Sequence, residues 1–403
     1  MNHIEIVGKL GDGCTESVPR ASAGGGGYAR GVSLGIYTNK TSTSLSTPEN
    51  TRSVRARRFA LKSVVNDILP ESRTSKCHRI RAPQQQVEVW RGMSAGVAGK
   101  AFYKGLYTCG RLWTCPVCAA KISERRRIEL AGAIANAKAQ GLSVYLLTQT
   151  IRHGLGDGLK NSFDGIARAE KYLWDGRNGQ RLRESLGIVG TIKTTEVTWG
   201  ETNGWHPHKH TLLFLKTPIS VHKLQSELSP LWIKGCLKSG LPAPSLDRGL
   251  TIQDGSYADA YVSKWGLESE MTKGHSKVAK QGGFTPFALL QNILDTGDSR
   301  SWELFKEYAA ATHRKQQLRW SHGLHALLLP DVAEVSDEQL VNFEDLEVDA
   351  VIWASLSVHE WKAVLYFKYQ SVLLDKSEDS SPPVLQAWLD SVTESYRHAK
   401  NIT

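Results

Sequence analysis

A β-hairpin is predicted by the stretch GIVGTIKTTEVTWG-ETN-GWHPHKHTLLFL, residues 187–215. Its first half is rich in β-branched residues, and its second half alternates polar and apolar residues before it becomes continuously apolar. Asn203-Gly204 between them is a preferred hairpin dipeptide. Helical patterns alternate with strands before and after it. We therefore expect a mixed α+β protein with a central antiparallel sheet that helices cover on one or both faces.

Three histidines alternate along the second strand of this hairpin. Successive side chains of a strand point to opposite faces, so His206, His208 and His210 lie on one face and Pro207 and Lys209 on the other. Two imidazoles roughly 7 Å apart on one strand face can share a divalent ion. Pro207 is typical of the first residue of a strand. His208 and His210 are therefore the predicted metal ligands, and His206 is a rim residue of unassigned role.

The turn predicts a third ligand on the partner strand. If the hairpin turns around Thr202, Glu196 lies opposite His208. A His-His-Glu set that leaves coordination positions open is typical of a catalytic metal site. The alternative, a polar strand face exposed to solvent, stays open on the pattern alone.

Cysteines predict a second metal site. Cys109, Cys115 and Cys118 follow Cys77 by about thirty residues, and the CPVC pair forms the tight knuckle that tetrahedral zinc requires. Thiolate ligands suit zinc better than magnesium. His78 is a substitute ligand, and a set of ordinary buried cysteines is the alternative. A filled four-thiolate site predicts a structural Zn²⁺.

Charge is distributed unevenly along the 403 residues, whose net charge is +10. From His325 to the end there are 14 acidic and 5 basic residues, so this part carries −9 and residues 1–324 carry +19. A basic body with an acidic end is typical of a nucleic-acid-binding protein whose end contacts itself or another protein. No run of some 18 apolar residues and no leader pattern is present, which predicts a cytoplasmic protein without a membrane partner.

Four regions are predicted from these patterns. Residues 1–68 form a flexible basic N-terminal arm, because Gly-rich and Ser/Thr-rich stretches precede RSVRARR. Residues 69–140 hold the cysteines and a following helix. The hairpin lies in the third region, residues 141–325, and residues 326–403 form an acidic, helical C-terminal region.

A pair of tyrosines lies in SYADAYVSKWG, which predicts a helix that Ser256 can cap. Tyr257 and Tyr261 are four residues apart on one helix face, and Lys264 continues the stripe. Aromatic residues at this spacing often belong to a core, and this alternative stays open. Two phenols and an ammonium group are nevertheless an unusual choice for an apolar interface.

At this point the sequence resembles the plasmid-type Rep proteins, the rolling-circle replication initiators of the HUH endonuclease superfamily. GWHPHKHTLLF resembles their HUH motif, YLLTQTIRH their first motif, and YADAYVSKW the motif that carries the nicking tyrosine. RTSKCHR, CGRLWTCPVCAAKISERRR and TPFALLQNILDTGDSRSWELFKEYAAATHRKQQLRWSHGL resemble the cysteine-rich and C-terminal portions of such proteins. The resemblance covers about residues 60–325 and implies an HUH nicking domain in residues 141–325.

The resemblance implies a site-specific, single-strand DNA endonuclease and strand transferase. Tyr261 would attack a phosphodiester at an origin, leaving a 5′-phosphotyrosine and a 3′-hydroxyl that a host polymerase extends. Tyr257 would attack later to release a circle, and Lys264 would screen the phosphate. The resemblance also implies Mg²⁺ or Mn²⁺ on the His-His-Glu set. The implied partners are origin DNA, in duplex and single-stranded form, and a host helicase. Self-association through the acidic end is a further option.

Two departures from the family pattern stand out. Lys209 replaces the bulky apolar residue usual between the metal histidines, so its stem must pass whatever covers that face. Tyr257 occupies the position where some relatives carry a glutamate that activates water. The second tyrosine favours a two-tyrosine exchange over a hydrolytic ending.

DNA contacts outside the reacting centre are also predicted. Trp199, Trp205 and Trp265 lie near the motifs and could stack on unpaired bases, although packing explains Trp205 equally well. Arg125–Arg127 could contact phosphates of the duplex origin.

Two other functions stay open. An HUH two-tyrosine transposase would use the same chemistry on element ends. A non-catalytic, zinc-containing DNA-binding regulator would explain the charge and the cysteines but would leave the tyrosine pair and the His-His-Glu set without a reason.

Overall fold

The computed structural model describes residues 48–94, 97–255, 283–342 and 349–401. Its strands are β1 (Val87–Ser94), β2 (Val97–Lys104), β3 (Ser143–Thr150), β4 (Ile188–Gly200), β5 (Gly204–Leu215), β6 (Leu250–Gln253), β7 (Gly283–Phe284), β8 (Leu318–Trp320) and β9 (Ala350–Leu356). Its helices are α1 (Pro48–Ile68), α2 (Arg73–Lys76), α3 (Pro116–Ala139), α4 (Leu159–Trp174), α5 (Gly176–Ser185), α6 (Val221–Lys238), α7 (Pro286–Thr296), α8 (Ser299–Ala311), α9 (Leu324–Leu328), α10 (Asp337–Asn342), α11 (Val358–Tyr366), α12 (Gln370–Asp379) and α13 (Pro382–Lys400). Of the helices in these ranges, none combines the length and apolar character needed to cross a bilayer.

The predicted hairpin forms the centre of the larger sheet. Strands β4 and β5 pair antiparallel, with Trp199 opposite Trp205 and Gly200 opposite Gly204. Gly204 adopts a φ of +71°, and a Cβ there would lie 2.9 Å from the carbonyl oxygen of Gly154, so glycine is required. Strand β5 begins at Gly204, before Pro207, and not at the proline as predicted. The strand tolerates Pro207 because β5 pairs only with β4 at this position, so the missing N–H breaks no second ladder.

The larger sheet has the strand order β6-β3-β5-β4-β7, and β8 adds to β4. Helices α4 and α6 cover one face, where Ile166 and Trp232 pack in one cluster with Leu213 of β5. Helix α3 covers part of the other face, where Ile134 packs in a cluster with Phe214. The alternation of apolar residues along β5 explains both clusters, since adjacent residues serve opposite faces. The prediction of a mixed α+β protein with antiparallel sheets and helices is confirmed.

A smaller sheet joins the cysteine-rich and acidic regions. Its order is β2-β1-β9, so a strand from residues 350–356 pairs with residues 87–92. Helices α11, α12 and α13 pack on this sheet through a cluster that contains Val89, Trp361 and Leu389. The acidic end therefore packs against the chain itself and contributes a strand as well as helices.

Helix α1 differs from the sequence-based expectation. Residues 48–68 were predicted to belong to a flexible arm, yet they form a helix of 21 residues. Leu61, Val64, Val65 and Ile68 are all buried and follow the i, i+3, i+4, i+7 spacing of a helix face. Burial of that face stabilises the helix, so the arm prediction is wrong for this part. Residues 1–47 lie outside the described ranges.

Candidate metal centres

The predicted His-His-Glu set comes together at the hairpin. Glu196 of β4 lies directly opposite His208 of β5, so the predicted register is confirmed. The Oε2 atom of Glu196 is 3.2 Å from Nε2 of His208 and 3.5 Å from Nε2 of His210. The three ligand atoms lie within 4.8 Å of one another, and all three residues are partly exposed. This arrangement could hold one metal ion and still leave room for a further ligand.

The carboxylate of this set is held in its ionised form. Burial tends to raise the pKa of Glu196, but hydrogen bonds from His208 and His210 and the charges of those imidazoles lower it well below the ordinary value. An ionised carboxylate beside two imidazoles is a donor set that fits a divalent cation. Carboxylate oxygen makes the set harder than the cysteine cluster and suits Mg²⁺ or Mn²⁺.

Neighbouring groups orient the two imidazoles. Nδ1 of His210 lies 3.0 Å from Oγ1 of Thr148 on β3, and Nδ1 of His208 lies 3.4 Å from the backbone oxygen of His206. In both rings the other nitrogen, Nε2, faces Glu196. A hydrogen bond at the remote nitrogen fixes the ring orientation and the tautomer, which preorganises a metal site.

His206 forms a separate histidine pair. Its Nδ1 lies 2.6 Å from Nε2 of His153, whose Nδ1 lies 2.8 Å from the backbone oxygen of Asn203. Burial, together with the charges of His208 and His153, lowers the pKa of His206 to about 4. His206 therefore lies beside the His-His-Glu set without joining it. His153 was not singled out from the sequence, although its position at the end of YLLTQTIRH was the available signal.

Lys209 points away from the set, as its position in the alternation predicts. It is buried, and its Nζ donates to Oε2 of Glu170 on α4, while Nζ of Lys193 lies 3.0 Å from Oε1 of the same carboxylate. Burial would raise the pKa of Glu170, but the two ammonium groups lower it below the ordinary value. The stem of Lys209 therefore does not reach solvent, because the covering helix supplies a carboxylate.

The four predicted cysteines form a closed cluster. The Sγ atoms of Cys77 and Cys118 are 3.4 Å apart, and Sγ of Cys109 is 3.7 Å from that of Cys118. Sγ of Cys115 lies 3.7 Å from that of Cys77, and all four residues are buried. Two backbone N–H groups also point at sulfur, those of Cys109 and Arg111. Four converging sulfurs fit a structural zinc ion.

A buried lysine and an aromatic group surround this cluster. Lys62 of α1 is buried near the sulfurs. Burial lowers its pKa, while the charges of Cys115 and Cys77 act in the opposite direction. His78, the suggested substitute ligand, is not part of the cluster and packs edge-on against Phe59 and Tyr103. A cation beside four sulfurs offsets the negative charge of a zinc tetrathiolate.

The tyrosine motif cannot be placed in the same way. Tyr257, Tyr261, Lys264 and Trp265 lie outside the described residues. Strand β6 and Gly255 precede them, and β6 pairs with β3, which in turn pairs with β5.

Some predicted DNA contacts are used inside the protein instead. Trp199 and Trp205 are buried, and Nε1 of Trp205 donates to Glu307 over 2.8 Å. Arg125 and Arg126 are also buried, and Arg126 forms ion pairs with Glu129 and Asp337. Packing therefore explains both tryptophans, and the hypothesis that these two arginines contact phosphates is not supported.

The comparisons with known proteins agree with the sequence motifs. Residues 104–224 match a family described as a replication protein, Rep_1. A protein of Streptomyces lividans named Protein rep is 28% identical over 312 residues, which are 60% of this chain and 68% of that protein. A Protein rep of Lentilactobacillus hilgardii is 27% identical over 124 residues, 29% of this chain and 38% of the relative.

A third relative carries a different name. The Neomycin resistance protein of Streptomyces cyanogenus is 34% identical over 142 residues, which are 29% of this chain and 32% of that protein. No solved structure matches the chain. The resemblance to plasmid-type rolling-circle Rep proteins is confirmed by the replication-protein matches. The segment that matches Rep_1 contains both the cysteine knuckle and the His-His-Glu set.

Proposed function

We propose that this chain initiates rolling-circle replication by nicking one strand of an origin and later rejoining strands. The observation that carries the proposal is the convergence of Glu196, His208 and His210 on one partly exposed point of a replication-protein domain. A replication protein that only bound DNA would not need two imidazoles and a carboxylate with open coordination positions.

The residues of the hairpin would hold and orient the scissile phosphate. His208, His210 and Glu196 would bind Mg²⁺ or Mn²⁺, which supplies Lewis-acid polarisation of the phosphate when it is bound. Thr148 holds the ring of His210, so little reorganisation is needed when the substrate enters. Lys209 and Glu170 fix the opposite face of β5 against α4.

Tyr261 is the proposed nucleophile. Its hydroxyl oxygen would attack phosphorus while the bond from phosphorus to the 3′-oxygen breaks, so the 5′ end remains on tyrosine and the 3′ end becomes a hydroxyl. Lys264 would favour the ionised phenol. Tyr257 would attack the junction that forms after one round of synthesis. The phosphotyrosine conserves the phosphodiester energy, so rejoining requires no nucleotide hydrolysis.

The cysteine cluster would serve the fold rather than the reaction. Its sulfurs are buried, so a zinc ion there has no position open to substrate. It fixes the start of α3, whose first helical residue, Pro116, follows Cys115. We propose that Zn²⁺ stabilises the region that precedes the hairpin domain.

Covalent capture tests the proposed nicking. The protein is incubated with Mn²⁺ and a 5′-labelled and a 3′-labelled single-stranded oligonucleotide that span the origin of its replicon, and the products are separated on denaturing gels. We expect the 3′-labelled fragment to remain on the protein, because the tyrosine keeps the 5′ end of the downstream strand. Tyr261→Phe should abolish this adduct, and Tyr257→Phe should leave the first nick intact.

A matched pair of histidine variants controls this experiment. His208→Ala should abolish the adduct, whereas His222→Ala, on the exposed part of α6, should not. Absence of an adduct with every metal tested would favour a DNA-binding regulator without catalysis.

A further inference from the structure

A groove opens between the cysteine-rich region and the segment that follows α8. Its volume is about 1170 Å³. Arg73 and residues 110–114 line it from the cysteine-rich region, and residues 312–316 and 318–320 line it from the segment after α8. Residues 334–338, near the start of the acidic region, also line it. The groove therefore lies at the meeting point of three stretches that are far apart in sequence.

Positive charge predominates among the residues that line this groove. The acidic members are Glu71, Glu334, Asp337 and Glu338, and the basic members are Arg73, Arg111, Arg126, Lys306, Arg314, Lys315 and Arg319. Basic side chains that line a concavity concentrate anions there more strongly than the same charges on a convex surface. The excess of cations predicts an anionic occupant.

Two of the arginines remain available to such an occupant. Arg126 is held by Glu129 and Asp337, and Lys315 lies 3.2 Å from Asp164. Arg314 and Arg319 are exposed, and neither forms an ion pair with any described residue. Arg314 also adopts a φ of +59°, a conformation that is costly for a residue with a side chain and is enriched at functional positions.

The groove lies along the β8 edge of the sheet that carries the His-His-Glu set, because Leu318, Arg319 and Trp320 all line it. Leu318 lines the groove and pairs with Thr194 of β4, which pairs with His210 of β5. Paired residues of antiparallel strands point to the same face, and neighbouring strands are about 4.8 Å apart. Leu318 and His210 are therefore separated by about 10 Å along one face, two strand spacings. A polyanion in the groove would therefore lie about two strand spacings from the metal ligands.

We propose that this groove holds the sugar-phosphate backbone of single-stranded origin DNA beside the nicking site, with Arg314 and Arg319 as phosphate contacts. This inference rests on the proposed function, because it assigns a path to the strand that is nicked. Arginine supplies several donors in a fixed geometry that matches phosphate oxygens. Repulsion by the carboxylates among residues 334–338 would keep the backbone away from their side of the groove.

The salt dependence of binding tests the assignment. The probe is a fluorescein-labelled single-stranded oligonucleotide spanning the origin, and its Kd is measured by anisotropy over a range of salt concentrations. Arg314→Ala with Arg319→Ala should weaken binding about tenfold and reduce the slope of log K against log salt by about 1.4, the value for two phosphate contacts to a single strand. Arg314→Lys with Arg319→Lys should restore most of the slope.

The matched control removes the same charge elsewhere. Arg177 and Arg181 are exposed on α5, outside the groove, so Arg177→Ala with Arg181→Ala should retain the wild-type Kd and slope.

Equal losses of affinity in both double variants, or no loss in the groove variant, would refute the groove assignment. If the wild-type protein forms the covalent adduct and the groove variant binds normally, only the groove assignment fails. If no adduct forms but the groove variant loses affinity, the nicking proposal fails alone.

Discussion

The cysteine cluster and the His-His-Glu set are two metal-ligand clusters with opposite surroundings. The cysteines are between 0% and 2% exposed, whereas the side chain of Glu196 is 33% exposed and those of His208 and His210 are 14% exposed. A cluster with four sulfurs and no access for solvent can hold a metal but cannot present it to a substrate. A three-ligand cluster at the surface can do both. The chain thus separates a site suited to stability from a site suited to reaction.

The difference in how the two clusters are assembled is equally instructive. The histidines and the glutamate come from one hairpin, which hydrogen bonds between β4 and β5 hold together without metal. The cysteines come from loops and a helix start, and Cys77 is 32 residues before Cys109. A metal should therefore matter for folding at the cysteine cluster and hardly at all at the hairpin.

The largest expected effect is the loss of a zinc ligand. Cys77→Ala should lower the zinc content and destabilise the fold by several kcal/mol, since a structural zinc contributes on the order of 10 kcal/mol. This corresponds to a fall in Tm of about 10 °C. Zinc is measured by atomic emission and Tm by circular dichroism. Cys236→Ala, at a buried cysteine of α6 outside the cluster, should retain zinc. Normal zinc content in both variants would show that the cysteine cluster does not hold the zinc, and the contrast between a structural and a reactive metal site would fail.

Removal of a hairpin ligand should have the opposite profile. His210→Ala should reduce Mn²⁺-dependent cleavage of a single-stranded origin oligonucleotide by at least about 100-fold, since Lewis-acid stabilisation is worth several kcal/mol. The Tm should change by less than about 3 °C, because the ring is partly exposed. Single-turnover cleavage rates and melting curves measure the two effects. A large fall in Tm with unchanged cleavage would assign this cluster to the fold.

The buried pair behind the hairpin gives a smaller, pH-dependent effect. Lys209→Met should destabilise the protein by about 2 kcal/mol at pH 7, because Glu170 keeps only Lys193 as a partner. The folded pKa of Glu170 lies below its ordinary value, so its contribution is present above the unfolded pKa and is lost as the pH falls through the folded pKa. Urea unfolding at pH 7 and at lower pH should show the difference between variant and wild type narrowing on acidification. A constant difference would show that packing rather than charge explains Lys209.

The smallest effect concerns the residue that orients His210. Thr148→Val keeps the shape of the side chain but removes the hydroxyl 3.0 Å from Nδ1. We expect the Mn²⁺ concentration for half-maximal cleavage to rise about tenfold, as is typical for groups that orient metal ligands. The maximal rate should recover at saturating Mn²⁺. A reduced maximal rate with unchanged metal dependence would place Thr148 in the reaction itself.

Local patterns made the hairpin predictable. The β-branched strand, the Asn-Gly turn and the alternation of histidines fix which residues share a face, and counting from Thr202 places Glu196 opposite His208. The knuckle of Cys115 and Cys118 is equally local. The helix of residues 48–68 had a readable signal in the spacing of Leu61, Val64, Val65 and Ile68, but the adjacent polar, low-complexity stretch obscured it.

The partners of charged residues were not predictable in this way. RSVRARR suggested a basic arm, yet Arg55 lies 2.6 Å from Asp375 and 2.9 Å from Glu378 of α12, and Arg52 pairs with Asp379. Likewise, nothing near Lys209 in the chain indicated Glu170 on α4. These contacts join residues separated by up to 327 positions.

The sequence by itself determined the hairpin, its register, the face on which the histidines lie and the spacing of the cysteine knuckle. These follow from backbone periodicity and turn chemistry, which act over a few residues. Only the tertiary structure decided that Cys77 rather than its neighbour His78 completes the cluster and that His206 pairs with His153. It also decided that a carboxylate receives Lys209 and that the acidic end neutralises Arg52 and Arg55. The packing of distant elements sets these contacts. A buried charge or polar group has lost its contacts with water, so it must bind a partner on the element that packs against it.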